Sequence, residues 1–145
     1  MENTTALPIV VGVDGSDASL AALHQGVRLS KALDLPLRVV TTWSHPTTLD
    51  GGYAMNGWSP ERDAREILST TLERAFHGDP PPHLTSAAVE GLPSRVLLDE
   101  SKRAEMLVLG SRGHGGFVGM LMGSVSSACA QHAHCPVLIV RDRDS

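Results

Sequence analysis

Several ingredients are scarce in this chain, and each scarcity removes a class of function. Cysteine occurs only at Cys129 and Cys135, too few for the disulfide framework of a small secreted domain. Charge of one sign is not gathered anywhere: 12 lysines and arginines stand against 16 acidic residues, for a net charge of -4. Lys102-Arg103 and Arg141-Asp142-Arg143 are the only basic groupings, so the electrostatic footprint expected of a nucleic-acid binder is missing. The N-terminal MENTTALPIVVGVDG has no basic stretch, and its apolar run is only a strand long. That reads as neither a signal peptide nor a membrane span. The expectation is one reduced, cytoplasmic domain over residues 1–145, a length that supports one substantial core.

What is present is alternation. Leu7-Pro8-Ile9-Val10-Val11-Gly12-Val13 is an apolar, β-branched run with the character of a strand buried on both faces. Asp14-Gly15-Ser16 breaks it, and Ser16 followed by Asp17 predicts the start of a helix reaching about Leu33. Leu20, Leu23, Val27 and Leu33 mark its apolar stripe, with Ala21 and Ala22 between them. Asp34-Leu35-Pro36 ends it, and Leu37 to Trp43 reads as a second strand.

Residues 44–58 show no periodicity and exceed most connections in length. Trp43, Tyr53 and Trp58 in and around this stretch suit a loop that packs its own aromatics, with a lid or partner surface as the other reading. Ser59-Pro60-Glu61 predicts a second helix, running to about His77 before the stop Gly78-Asp79-Pro80-Pro81-Pro82. A third strand covers Leu84 to Val89, and Gly91-Leu92-Pro93-Ser94 opens a short helix carrying Val96, Leu97 and Leu98. Met106 to Leu109 is a fourth strand, about Ser124 to His132 a helix, and Pro136 to Val140 a fifth strand. Alternation of this kind predicts an α/β fold with a mainly parallel sheet covered on both faces.

The stretch GSRGHGGFVGMLMGSVSS, residues 110–127, holds six glycines among its eighteen residues, yet its middle is apolar. In an open α/β sheet, ligands bind outside the carboxyl ends of the strands, where the strand order reverses. If the first strand neighbours the fourth, the Asp14-Gly15-Ser16 turn and this stretch meet at one place. Gly110 and Gly113 then let the chain turn sharply and approach a ligand without Cβ atoms in the way. Successive backbone N–H groups in such a turn make an anion-binding nest. Gly123-Ser124-Val125-Ser126 begins a helix whose open N–H groups and positive dipole end favour phosphate, with two serine hydroxyls as further donors. These parts suit a di- or triphosphate. No Gly-Lys-Ser/Thr follows, so this is not a P-loop, and GVDGS is not the dinucleotide fingerprint. A glycine-rich turn ahead of a capped helix is the plainer reading of the same residues.

Gly110-Ser111-Arg112-Gly113, nine residues, then Gly123-Ser124 reproduces the pattern G-2x-G-9x-G-(S/T). In this the chain resembles the ATP-binding class of the universal stress proteins. Val10 to Ser16 looks like that family's first strand and loop, and Gly91-Leu92-Pro93 and Cys135 to Val140 also match its pattern. The resemblance implies an open five-stranded sheet in the order 3-2-1-4-5, Rossmann-like as in the adenine nucleotide alpha hydrolases, with ATP across its carboxyl edge.

Position by position, the resemblance puts Asp14 at the adenosine end, flanked by Gly12 and Val13. It puts Thr42 where the family usually has a valine against adenine, a contact made mainly through backbone. Leu109, Gly110, Arg112 and Gly113 would line ribose and phosphates, and Gly123, Ser124, Val125 and Ser126 would hold the phosphates. ATP, with Mg2+ or Mn2+, is the implied ligand, and AMP is an alternative. A homodimer through Val137 to Val140 and a further protein partner are implied as well. The implied role is a nucleotide-responsive stress or regulatory module.

Two other functions suit the same residues. One is a slow ATPase or nucleotidyl-transferring enzyme with His114 as a base, although no carboxylate pair for magnesium accompanies Asp14. The other is an interaction dimer that works without nucleotide, against which the intact glycine pattern speaks. Asp14 could instead only cap the first helix, but Ser16 is available for that. Cys129, His132, His134 and Cys135 fit none of the usual paired zinc spacings, so the cysteines read as small buried hydrophobes.

Overall fold

Five strands and four helices alternate along the residues that the computed structural model describes, 6–45, 59–112 and 123–141. In chain order they are β1 (Ile9–Gly12), α1 (Asp17–Leu33), β2 (Leu37–Trp43), α2 (Pro60–Phe76), β3 (Leu84–Glu90), α3 (Pro93–Ser101), β4 (Met106–Gly110), α4 (Ser124–His132) and β5 (Val137–Val140). The strands form one sheet in the order β3-β2-β1-β4-β5, and every pairing is parallel. The expected topology is thus the observed one. Strand β1 lies at the centre, with Ile9 to Gly12 beside Leu37 to Val40 of β2 and Ile9 to Val11 beside Met106 to Val108 of β4.

The two-residue period of β1 divides the core. Ile9, Val11 and Val13 pack with Ala22 and Leu23 of α1 and Leu68 of α2. Val10 joins Val40, Leu107 and Leu109 against Val96 and Leu97 of α3 and Cys129 of α4. Both faces are therefore covered, as a strand without polar alternation requires. The strand is shorter than the run Leu7 to Val13 because Pro8 has no N–H to donate. Its carbonyl still accepts from the Glu105 N–H at 2.8 Å, and the Val13 N–H reaches the Val40 carbonyl at 2.9 Å.

Helix α1 departs from its expected stripe. Leu33 is 50% exposed, and the buried side is mostly small: Ala18, Ser19, Ala22, Leu23, Gly26 and Ser30. Small residues let the helix axis lie close to the sheet, and a Cβ at Gly26 would overlap Val11 Cγ2. The helix ends on Asp34, whose left-handed backbone (φ 57°) turns its N–H onto the Ser30 carbonyl.

On the opposite face, Arg38 and Glu100 tie β2 to α3. Nε and Nη2 of the arginine donate to the two carboxylate oxygens at 2.8 and 3.0 Å, a bidentate pairing. Cys129 is fully buried on that face, which fits the small-hydrophobe reading. Both cysteines are free thiols. Among the described residues, no three histidine, cysteine or acidic side chains are grouped as a metal site would need.

Two outcomes follow from this packing. Gly26→Ala should lower stability by about 1–2 kcal/mol in urea unfolding, because overpacking against Val11 outweighs the better helix propensity of alanine. Burial, with a smaller contribution from Cys135, pushes the Cys129 thiol up from 9.0 to about 11. The folded state then binds more protons than the unfolded chain between those two values. Stability should accordingly fall as pH rises from 9.0 to about 11, and Cys129→Val should show a shallower fall over the same window.

Candidate functional site

Three strand ends meet at the carboxyl edge of the sheet. At the end of β1, Gly12 is half-buried, and a Cβ there would stand 2.9 Å from Leu109 Cδ2 and 3.1 Å from the Leu97 methyls. Core side chains thus crowd this position, although they are leucine ends that can shift. Val13 is buried, and Asp14 is half-buried at the mouth of the turn. Gly15 takes a left-handed backbone (φ 87°), which favours glycine. Ser16 is the N-cap of α1, its Oγ accepting from the Ser19 N–H at 3.2 Å. The Asp14 carboxylate accepts from the Ser16 N–H at 3.0 Å. Serine therefore caps the helix, as the sequence suggested, while aspartate, expected to be left for a ligand, also shapes its own turn.

At the end of β2, Thr42 is half-buried and lies in register with Val89 of β3. The Trp43 carbonyl accepts from the Gly91 N–H at 2.7 Å, and the Trp43 ring meets His45 edge to face at 5.3 Å. Tyr53 and Trp58 lie outside the described residues.

At the end of β4, Leu109 is buried and Gly110 faces helix α1. A Cβ on Gly110 would stand 2.8 Å from the backbone carbon and oxygen of Ala18. The sequence assigned this glycine to a ligand's approach, whereas the structure assigns its missing side chain to the first turn of α1. Backbone cannot yield as a flexible side chain can, so the contact locks the Asp14 turn beside β4. Arg112 is exposed. Gly113 and His114 lie outside the described residues.

The chain re-enters the described residues at Gly123, and one carbonyl gathers the two sides. The Ser111 oxygen accepts from the Gly123 N–H at 2.6 Å and from Ser126 Oγ at 3.1 Å. The Ser111 N–H donates to the Val140 carbonyl of β5 at 2.8 Å. Gly123 is the N-cap of α4, with no side-chain cap bond and no acidic residue in the first turn. The first ladder bond runs from Ser127 N–H to the Gly123 carbonyl at 3.0 Å, which leaves the N–H groups of Ser124, Val125 and Ser126 outside the helix ladder. Such an end, uncapped and positively polarised, is suited to an anion.

The expectation for the two serine hydroxyls needs correction. Ser124 is exposed, but Ser126 is 3% exposed, and its hydroxyl points inward to the Ser111 and Gly123 carbonyls. The Ser126 hydroxyl is thus engaged inside the fold, which leaves only its backbone N–H outside the helix ladder. Sequence reasoning also missed Ser111 and Ser19. The spacing Ser16-x-x-Ser19 was a usable signal, since a polar residue three after an N-cap often reaches back toward it. Nothing in GSRG singles out the Ser111 carbonyl.

The close approach at Gly110 gives a test. Gly110→Ala should destabilise by about 2–4 kcal/mol, beyond an ordinary overpacking penalty, because a backbone must move. In amide hydrogen exchange, the first turn of α1 should lose protection while β2 and β3 keep theirs.

Comparison with known proteins agrees with this arrangement. The model of the Universal stress protein family matches residues 7–141. Universal stress protein Rv2623 of Mycobacterium tuberculosis is 33% identical over 151 aligned positions, covering 97% of this chain and 50% of the relative. A universal stress protein of Mycolicibacterium smegmatis is likewise 33% identical, covering 94% of this chain and 46% of that protein. The chain thus spans about half the length of the curated relatives it matches. Among solved structures, universal stress protein UspA from Lactobacillus plantarum superposes with a TM-score of 0.76 at 22% identity, covering 96% of this chain and all of that one. A universal stress protein in complex with cAMP gives 0.60 at 27% identity, covering 94% and 98% of the two chains. A universal stress protein family protein from Arabidopsis thaliana with AMP bound gives 0.61 at 19% identity, covering 95% and 94%. With the sheet order, the strand-end loops and these likenesses together, the chain belongs to the universal stress protein family.

Proposed function

We propose that this chain binds an adenine nucleotide, ATP with Mg2+ or Mn2+ before AMP, and works as a regulatory module rather than as an efficient enzyme. The observation that carries the reading is the uncapped start of α4, clamped through the Ser111 carbonyl to the end of β4, one strand away from the Asp14 turn. A phosphate chain at the α4 end would meet the N–H groups of Ser124, Val125 and Ser126, with Arg112 and the Ser124 hydroxyl within the same edge. The nucleoside would lie toward Asp14 and Thr42, across Gly12, Val13, Leu109 and Gly110. The glycine spacing through Gly113 supports phosphate rather than a single carboxylate. The solved relatives in complex with cAMP and with AMP bound support the adenine base.

Nucleotide then acts by population shift, favouring one surface that a protein partner in the cytoplasm reads. A homodimer through β5 belongs to the same proposal. That strand ends the sheet order, and its four residues, Val137 to Val140, are apolar and only half-buried. An edge of that kind is a hazard unless covered.

Calorimetric titration of nucleotide-free protein with ATP and Mg2+ checks the reading, and absence of heat at millimolar nucleotide would sink it. Asp14→Asn keeps an oxygen for the Ser16 N–H but removes the charge. It should weaken ATP by about tenfold while leaving the urea midpoint within the spread expected of surface substitutions.

A further inference from the structure

Asp14 sits in a ring of hydrogen bonds that its own turn does not close. Its N–H donates to Ser19 Oγ at 3.3 Å, and the Ser19 hydroxyl donates to the Ser16 carbonyl at 2.9 Å. The Ser19 N–H donates to Ser16 Oγ at 3.2 Å, and the Ser16 N–H donates to the Asp14 carboxylate at 3.0 Å. Ser19 is 4% exposed, so it works from inside the fold. It occupies the third position of α1, where a capping box usually carries a glutamate or glutamine that reaches back to the N-cap N–H. Here the N-cap N–H is already held by Asp14, and the shorter serine takes the Asp14 N–H instead.

A hydroxyl donates through its proton while accepting on a lone pair, and both capacities are in use at Ser19. Its oxygen therefore holds two peptides at once, Val13–Asp14 and Ser16–Asp17, which bracket the turn at Gly15, whose left-handed backbone (φ 87°) lets the chain fold back on itself. Alanine would leave the Asp14 N–H without this partner inside a partly buried turn, and the Ser16 carbonyl with the Leu20 N–H at 3.1 Å. The carboxylate of Asp14 would lose the fixed backbone from which it is presented.

We infer that Ser19 is a positioning residue, which acts through Asp14 to set the nucleoside end of the site. The inference rests on the adenine-nucleotide reading above. Because Asp14 and the α4 start lie on different strand ends, Ser19 affects recognition of the nucleoside and leaves recognition of the phosphate chain unchanged. A merely structural serine would affect both or neither.

The experiment titrates wild type and Ser19→Ala with ATP, adenosine and inorganic tripolyphosphate. In Ser19→Ala, ATP and adenosine should weaken by the same factor, about tenfold, while tripolyphosphate binds as in wild type. Ser19→Thr, which keeps the hydroxyl, should return adenosine affinity toward the wild-type value. Unchanged adenosine binding in Ser19→Ala overturns the inference and leaves the nucleotide reading standing. An equal loss for tripolyphosphate also overturns it, because the whole edge would then have moved. Wild type that binds neither ATP nor adenosine defeats the nucleotide reading itself, and the inference falls with it. Hydrogen exchange of the Asp14 amide in wild type needs no variant: strong protection supports the ring, and exchange at the rate of an unstructured peptide excludes it.

Discussion

Helix α1 and strand β4 meet backbone to backbone. The carbonyl group of Ala18 occupies the space that any side chain on Gly110 would need, and that contact sets the positions of much that surrounds it. It holds the first turn of α1 against the end of β4, and the Asp14 turn immediately before that helix is carried with it. Since β1 and β4 are hydrogen-bonded neighbours, the closeness might look inevitable. Parallel neighbours normally keep the following helix a side-chain layer away, however, and here that layer is absent at one point. Gly26 repeats the device farther along α1, against Val11. Apart from Leu23, the buried side of the helix is made of small residues, which suits this close approach.

The helix starts differ in how their positive ends are satisfied. Helices α1 and α2 have serine caps, Ser16 and Ser59, and acidic residues in their first turns. Helix α3 begins with Pro93, which has no N–H to satisfy. Helix α4 begins on Gly123 with neither a side-chain cap nor an acid. It is held from the other side, by the Ser126 hydroxyl and the Gly123 N–H converging on the Ser111 carbonyl. Among the described residues that end is fixed in place and meets neither a side-chain cap nor an acid, which suits it to phosphate. The Ser111 N–H extends the β4–β5 ladder, so the same residue joins the proposed phosphate site to the strand proposed as a dimer edge.

Much of this was legible beforehand. The alternation of β-branched runs with capped, stopped helices is local chemistry, and it placed nearly every element within a residue or two. Local signals also identified Ser16 as the cap of α1 and Cys129 as a buried apolar residue. The errors share a cause. Leu33 falls on the apolar stripe because helical periodicity ranks residues by hydrophobicity, yet it is exposed while the smaller Ala18, Ala22 and Gly26 lie on the buried side. Ser126 was assigned a ligand-facing hydroxyl because its spacing from Gly123 gives no direction for its side chain. Ser19 was passed over because its partners, the Asp14 N–H and the Ser16 carbonyl, become its neighbours only once the turn has folded.

By itself, then, the sequence determined the order and kind of the elements, the parallel α/β class, and the glycine spacing that points to phosphate. Each of these depends on interactions between residues a few positions apart, or on periodicity along one element. The tertiary structure alone decided what each glycine and serine at the carboxyl edge is for. Gly110 is glycine because a distant backbone occupies its Cβ position, and Gly12 is crowded by distant leucine side chains. Ser126 faces inward because Ser111, fifteen residues earlier, presents a carbonyl to it. Such roles depend on which atoms lie within about 3 Å across the fold, a distance that residue spacing along the chain does not encode.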